Sequence, residues 1–147
     1  MLMQDFAASL SFKALPEDVL KVLRRSLLDS IGVAAIGSQT DMARIGTKTA
    51  RTMFGATSAS AARCLFDGQL ASLAGAAMAG AMTIDSIDAH DGTSPCKGHA
   101  GSSIFPALLA LADERSMTGQ DFASWRKETT RPVYRPTDVR RTNSTAR

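Results

Sequence analysis

At 147 residues, 44% of them hydrophobic, the chain is long enough for one domain with its own core, and 5% aromatic content beside abundant alanine, leucine and methionine favours helices over sheets. The formal charge of +3 is lopsided: residues 1–124 carry 10 basic and 12 acidic side chains, residues 125–147 carry 7 and 2. A near-neutral body offers nucleic acid no electrostatic footprint, no apolar run approaches the roughly 20 residues of a membrane span, and Cys64 and Cys96 are too few for a disulfide framework.

Residues 3–12 are expected to form a short amphipathic helix, with Phe6, Ala7 and Leu10 on one side. Met1-Leu2-Met3-Gln4-Asp5 has no basic region and no long apolar core, so no secretory signal is expected and the cytoplasm is the default location. Leu15-Pro16-Glu17-Asp18 reads as a helix start, because proline suits the first turn and carboxylates suit the positive end of the helix dipole. The helix should run from about 17 to 36. Leu20, Leu23, Leu27, Ile31 and Ala34 recur at steps of three and four as one buried stripe, Asp29 lies beside it as a buried structural residue, and Gly37-Ser38 ends it.

A weaker helix is expected over 40–54, capped by Thr40-Asp41 and closed by Gly55. Residues 56–62 read as a loop, and 63–66 as a brief extended piece before the turn signal Asp67-Gly68. From 69 to about 84 the pattern of Ala, Gly, Leu and Met predicts a helix. Gly75 and Gly80 would each cost about 1 kcal/mol against alanine if exposed, so they imply close approach of a neighbouring backbone. After a loop over 85–100, Ser102 or Ser103 is expected to cap a helix over 104–114, with Pro106 near its first turn. Thr118-Gly119-Gln120-Asp121 starts another, with Phe122 as its first core residue. Residues 125–147 lack apolar periodicity and contain two prolines. They cannot bury enough surface to offset their ordering entropy and read as a basic, disordered tail beside a helical domain over 1–124.

The loop holds most of the chain's chemistry. Between Asp88 and His99 lie both histidines of the protein, two carboxylates, Lys97 and Cys96. A carboxylate beside an imidazole supplies an acid and a base near neutral pH. Lys97 and the N–H groups at the following helix start suit an anionic substrate group, and Gly92, Gly98 and Gly101 permit positive φ and close approach to a ligand. Two other readings stand beside this one. The loop also reads as a polar connector with satisfied histidines. Asp88, His90, Cys96 and His99 are potential metal ligands, though their spacing fits no common zinc pattern and no metal is expected. Neither a dinucleotide-binding glycine motif nor a P-loop is present.

Three segments resemble the MmgE/PrpD family, which includes 2-methylcitrate dehydratases and cis-aconitate decarboxylases. They are Leu27-Leu28-Asp29-Ser30-Ile31-Gly32-Val33, Ser86-Ile87-Asp88-Ala89-His90-Asp91-Gly92, and Lys97-Gly98-His99-Ala100-Gly101 followed by Phe105-Pro106-Ala107-Leu108-Leu109-Ala110-Leu111-Ala112. The likeness runs from about residue 5 to 123. It implies an all-α, irregular helical bundle corresponding to part of the family's large helical domain. Members are far longer, so the chain resembles their N-terminal portion, and the change to basic composition at Trp125 reads as a truncation or frameshift.

The resemblance implies a lyase that removes water, or carbon dioxide, from a citrate-like polycarboxylate without an iron–sulfur cluster or other cofactor. It places Asp88 or Asp91 together with His99 at the catalytic centre, and His90, Thr93 and Lys97 at the substrate. Further catalytic groups of the family lie beyond this length of chain, so the polypeptide alone is expected to be inactive or weak. Relatives resemble homodimers, and an apolar face is expected to be exposed where further chain would pack. A helical interaction module without chemistry is the alternative.

Overall fold

Small residues decide how this chain packs. The computed structural model describes Asp5, Ser9, residues 11–92 and residues 98–124. Five α-helices and one two-stranded hairpin follow a 3₁₀ turn at Phe12–Ala14: α1 (Glu17–Gly37), α2 (Asp41–Met53), β1 (Ala62–Arg63), β2 (Leu70–Ala71), α3 (Leu73–Asp85), α4 (Ala100–Arg115) and α5 (Gly119–Ser124). The fold is therefore mostly helical, as expected. Asp5 and Ser9 are helical, but Ser11 is extended and Phe12 opens the 3₁₀ turn, so the first helix does not reach 12 as expected; its other residues and the tail over 125–147 lie outside the described residues.

The helix starts follow capping chemistry. Glu17 and Asp18 occupy the first turn of α1, the Thr40 hydroxyl accepts the Ala43 amide at 3.2 Å to open α2, and the Ser72 hydroxyl accepts the Gly75 amide at 3.3 Å to open α3. At α5 the capping is reciprocal, with the Asp121 amide donating to the Thr118 hydroxyl at 3.2 Å and the Thr118 amide donating to the Asp121 carboxylate at 3.3 Å. Two expected starts move. α3 begins at Leu73, not 69, because Leu70–Ala71 pairs antiparallel with Ala62–Arg63. α4 begins at Ala100, not 104. Ser102 and Ser103 are inside it, their hydroxyls donating back to the His99 carbonyl at 3.2 and 3.3 Å, and His99 holds the N-cap position.

α3 is the axis of the packing, with α2 and α4 along it and the C-terminal half of α1 against its end. Its neighbours meet it where one side has no side chain. A Cβ on Gly75 would lie 2.8 Å from the Phe54 carbonyl oxygen, and one on Gly80 2.8 Å from the Pro106 ring. Both glycines thus mark the close approaches expected of them. Gly46 of α2 and Gly37 of α1 play the converse part, facing Met82 and the Thr83 carbonyl. The main core is built of Ala50, Ala62, Cys64, Ala71, Ala76, Ala79 and Ala110, and a second cluster joins Val33 and Ala34 of α1 to Ile84 of α3.

The stripe on α1 is only partly buried. Leu20 and Ala34 are buried, Leu23 and Leu27 are half-buried, and Ile31 is exposed, because the face turned to α3 runs through Ser30, Val33, Ala34 and Gly37. Asp29 is exposed and not the buried residue expected. Large apolar side chains on α1 and α2 stand in solvent, among them Val22, Leu28, Ile36, Ile45 and Met53. Among the described residues no helix is long and apolar enough to cross a membrane.

Candidate functional site

The loop between α3 and α4 is anchored before it departs. Ile87 packs on the Val33–Ala34–Ile84 cluster, and the Ser86 hydroxyl lies 2.8 Å from the Thr83 carbonyl and 3.2 Å from that of Gly37. Asp88 then takes a left-handed φ of 49°, its amide donating to the Asp85 carbonyl at 3.1 Å. Aspartate tolerates this conformation better than most residues, so the sharp exit from α3 falls to Asp88 and not to a glycine.

Asp91 and His99 meet across the loop. The Asp91 carboxylate accepts the Gly101 amide at 2.8 Å, and the Asp91 carbonyl lies 3.0 Å from His99 Nδ1. A carbonyl oxygen only accepts, so Nδ1 carries the hydrogen. Nε2 of the neutral ring then keeps the lone pair and is the basic atom. His99 is exposed, while the His90 side chain is 1% exposed and its ring lies against that of His99, with centroids 4.3 Å apart. His90 Nε2 is 2.9 Å from an Asp85 carboxylate oxygen, and His90 Nδ1 is 4.0 Å from one of Asp88. The short contact is poorly aligned for a hydrogen bond, which leaves both buried ring nitrogens without a regular partner among the described residues.

Of the residues singled out from sequence, Asp91, His90 and His99 are thus together. Asp88 is beside them, its side chain 92% exposed. His90, expected at the substrate, has its side chain buried against the His99 ring. Thr93, Cys96 and Lys97 lie outside the described residues. Gly92 and Gly101 act by closeness and not by positive φ. Gly92 runs beside the His99 ring, where a Cβ would lie 3.4 Å from it, and a Cβ on Gly101 would strike the Asp91 carboxylate and lie 2.8 Å from the Ser30 hydroxyl oxygen. The Gly101 amide expected for a substrate anion is occupied by Asp91.

Two participants were missed from sequence. Ser30 is buried in α1; it lies in a segment that carries the resemblance, but its distance in the chain from the loop hid its place beside Asp91 and Gly101. Asp85 gave a signal: it is an acid at the C-terminal end of a helix, where the dipole disfavours it. Among the described residues no group of three His, Cys, Asp or Glu side chains is placed to hold a metal ion. Two cavities lie elsewhere, one between the hairpin turn and α3 and α4, the other between α1 and α5.

A family model, the MmgE/PrpD N-terminal domain, matches residues 2–124. Comparison with curated proteins and with solved structures found no match to either. The three segments that carry the resemblance converge in space, since Ser30, Asp91 and Gly101 meet at one point.

Proposed function

The chain belongs to the MmgE/PrpD family, and we propose that its loop serves the dehydration of a citrate-like polycarboxylate. The observation that carries this reading is the bond from His99 Nδ1 to the Asp91 carbonyl, which leaves Nε2 of an exposed imidazole as a base. In the proposed reaction Nε2 takes a proton from the carbon next to a carboxylate. The electron pair left behind forms a carbon–carbon double bond, the neighbouring C–O bond breaks, and the hydroxyl takes up a proton and leaves as water. Asp91 is committed to Gly101, so Asp88 is the loop carboxyl assigned to that second proton. Dehydration is preferred to loss of carbon dioxide because it starts with the proton abstraction for which this tautomer is set. Thr93 and Lys97 are assigned to the substrate carboxylates.

The chain alone is proposed to be weak or inactive. Residues 85–101 hold three aspartates and one lysine, a poor field for a multiply charged anion. Further cations would tighten its hold on the substrate. Titration calorimetry of the full chain with citrate and 2-methylcitrate tests the assignment. Saturable binding that is lost in His99→Ala supports it, and no binding of either acid by the wild-type chain sinks it.

The exposed Val22, Leu28, Ile36, Ile45 and Met53 favour a second reading, a helical interaction module or homodimer without chemistry. It predicts a defined oligomer in sedimentation and unchanged behaviour in His99→Ala.

A further inference from the structure

We infer that Asp85 and His90 are positioning residues which act through one another to set the ring of His99; the inference rests on the reading of His99 as the base. The His90 ring is not placed to touch substrate, since its side chain is 1% exposed and His99 lies over it at 4.3 Å. A buried imidazole without well-made hydrogen bonds is costly, and a fold keeps one where it has work to do. The strongest polar contact of His90 is the Asp85 carboxylate, 2.9 Å from Nε2. Nε2 is thus the nitrogen that faces Asp85, and Nδ1 the one that faces Asp88 at 4.0 Å. His90 meets Asp85 at the end of α3, and His99 is tied by the Asp91 carbonyl from the loop.

The place of Asp85 strengthens the argument. It is the last residue of α3, where the helix dipole repels a carboxylate. An acid there weakens its own helix, so its presence calls for a gain elsewhere, and the only ring nitrogen within 3 Å of it in the described contacts is His90 Nε2. The chain of contacts then runs from Asp85 through the His90 ring to the face of His99. Gly92 also runs beside the His99 ring, where a Cβ would lie 3.4 Å from it. The result is a ring set at a tilt of 34° against His90, with Nδ1 tied to the Asp91 carbonyl.

Long-range nitrogen–proton NMR on the full-length chain reads the tautomer of each histidine directly and needs no substrate. In the wild-type chain His99 is expected as the Nδ1–H form. His90→Ala and Asp85→Ala should each convert it to a mixture of tautomers, with a double variant no worse than the worse single one. His90→Phe keeps a stacking ring and should restore His99 at least in part. Asp85→Ala relieves the helix dipole, so a loss of His99 order in it is not the result of fraying. An unchanged His99 tautomer in both single variants, each folded by circular dichroism, overturns the inference. Citrate titration of the same proteins separates the two claims. If the wild-type chain binds no acid while the tautomer shifts as expected, the lyase reading falls and the positioning role stands. If citrate binds and His99 is indifferent to both substitutions, the reverse holds. Should His90→Ala fail to fold, Asp85→Ala and His90→Phe carry the decision.

Discussion

The carboxylate of Asp91 accepts the amide of Gly101 at 2.8 Å, so the loop caps the helix that follows it with an acid from ten residues earlier. His99, which holds the N-cap position, makes no side-chain cap of its own. Asp91→Ala should therefore cost about 1 kcal/mol of stability, the usual size of a lost cap. Asp91→Asn keeps an acceptor oxygen and should lose only the charge–dipole part, about 0.3–1 kcal/mol. Urea unfolding of the two variants checks the order, and an alanine variant as stable as wild type would show that the cap contributes nothing.

Two glycines five residues apart on α1 should respond in opposite directions. A Cβ on Gly32 meets nothing within 4 Å, whereas one on Gly37 runs into the Thr83 carbonyl. Gly32→Ala should stabilise by up to about 1 kcal/mol, because alanine is the better helix former. Gly37→Ala should destabilise by about 1–3 kcal/mol, since a backbone carbonyl cannot step aside. Thermal melts that move the same way in both would contradict this packing.

Acid should loosen the join between the hairpin and α4. The Asp113 carboxylate takes the Arg63 amide at 2.8 Å and the Arg63 Nε at 2.9 Å, and its guanidinium bond holds the Asp113 carboxyl below its ordinary value against the opposing effect of burial. A carboxyl lowered on folding stabilises above its unfolded value, about 3.9, and that contribution fades as the pH falls through the lower folded value. Asp113→Asn should melt below wild type at pH 7, and the gap should close as the pH falls from about 4 toward 2. A gap that is constant with pH would remove the ion pair from the explanation.

Cys64 should be a silent thiol. It is 1% exposed, and burial, assisted by Asp67, pushes its thiol above the ordinary cysteine value although Arg51 opposes this. Thiolate is the reactive form, so iodoacetamide should label Cys64 only on unfolding. Peptide mass spectrometry of native and urea-treated protein reads this directly. Rapid labelling of the native chain would place Cys64 outside the core.

What the sequence disclosed and what it hid have physical causes. The helices were legible where a cap preceded a periodic run, as at Thr40 and at Thr118 with Asp121. They were misplaced where long-range pairing overrode local propensity. Leu70 and Ala71 read as helix but pair with Arg63 and Ala62. Ser102 and Ser103 read as caps, but the cap of that helix comes from Asp91. The grouping of Asp91, His90 and His99 was readable because these residues share one loop. The burial of His90 was not, since it depends on how one ring lies over another, and Ser30 reaches the loop only through the packing of α1.

The seam of glycines along α3 has a consequence for how such a molecule can change over time. At Gly37 and Gly75 the joints leave no slack, because a methyl added there meets a backbone carbonyl oxygen that cannot step aside. The loop side chains beyond the end of α3 are fastened instead by polar contacts such as those of Asp91 with His99 and Gly101. Such an arrangement lets a lineage exchange its chemistry residue by residue, while the joinery beneath is held nearly immutable.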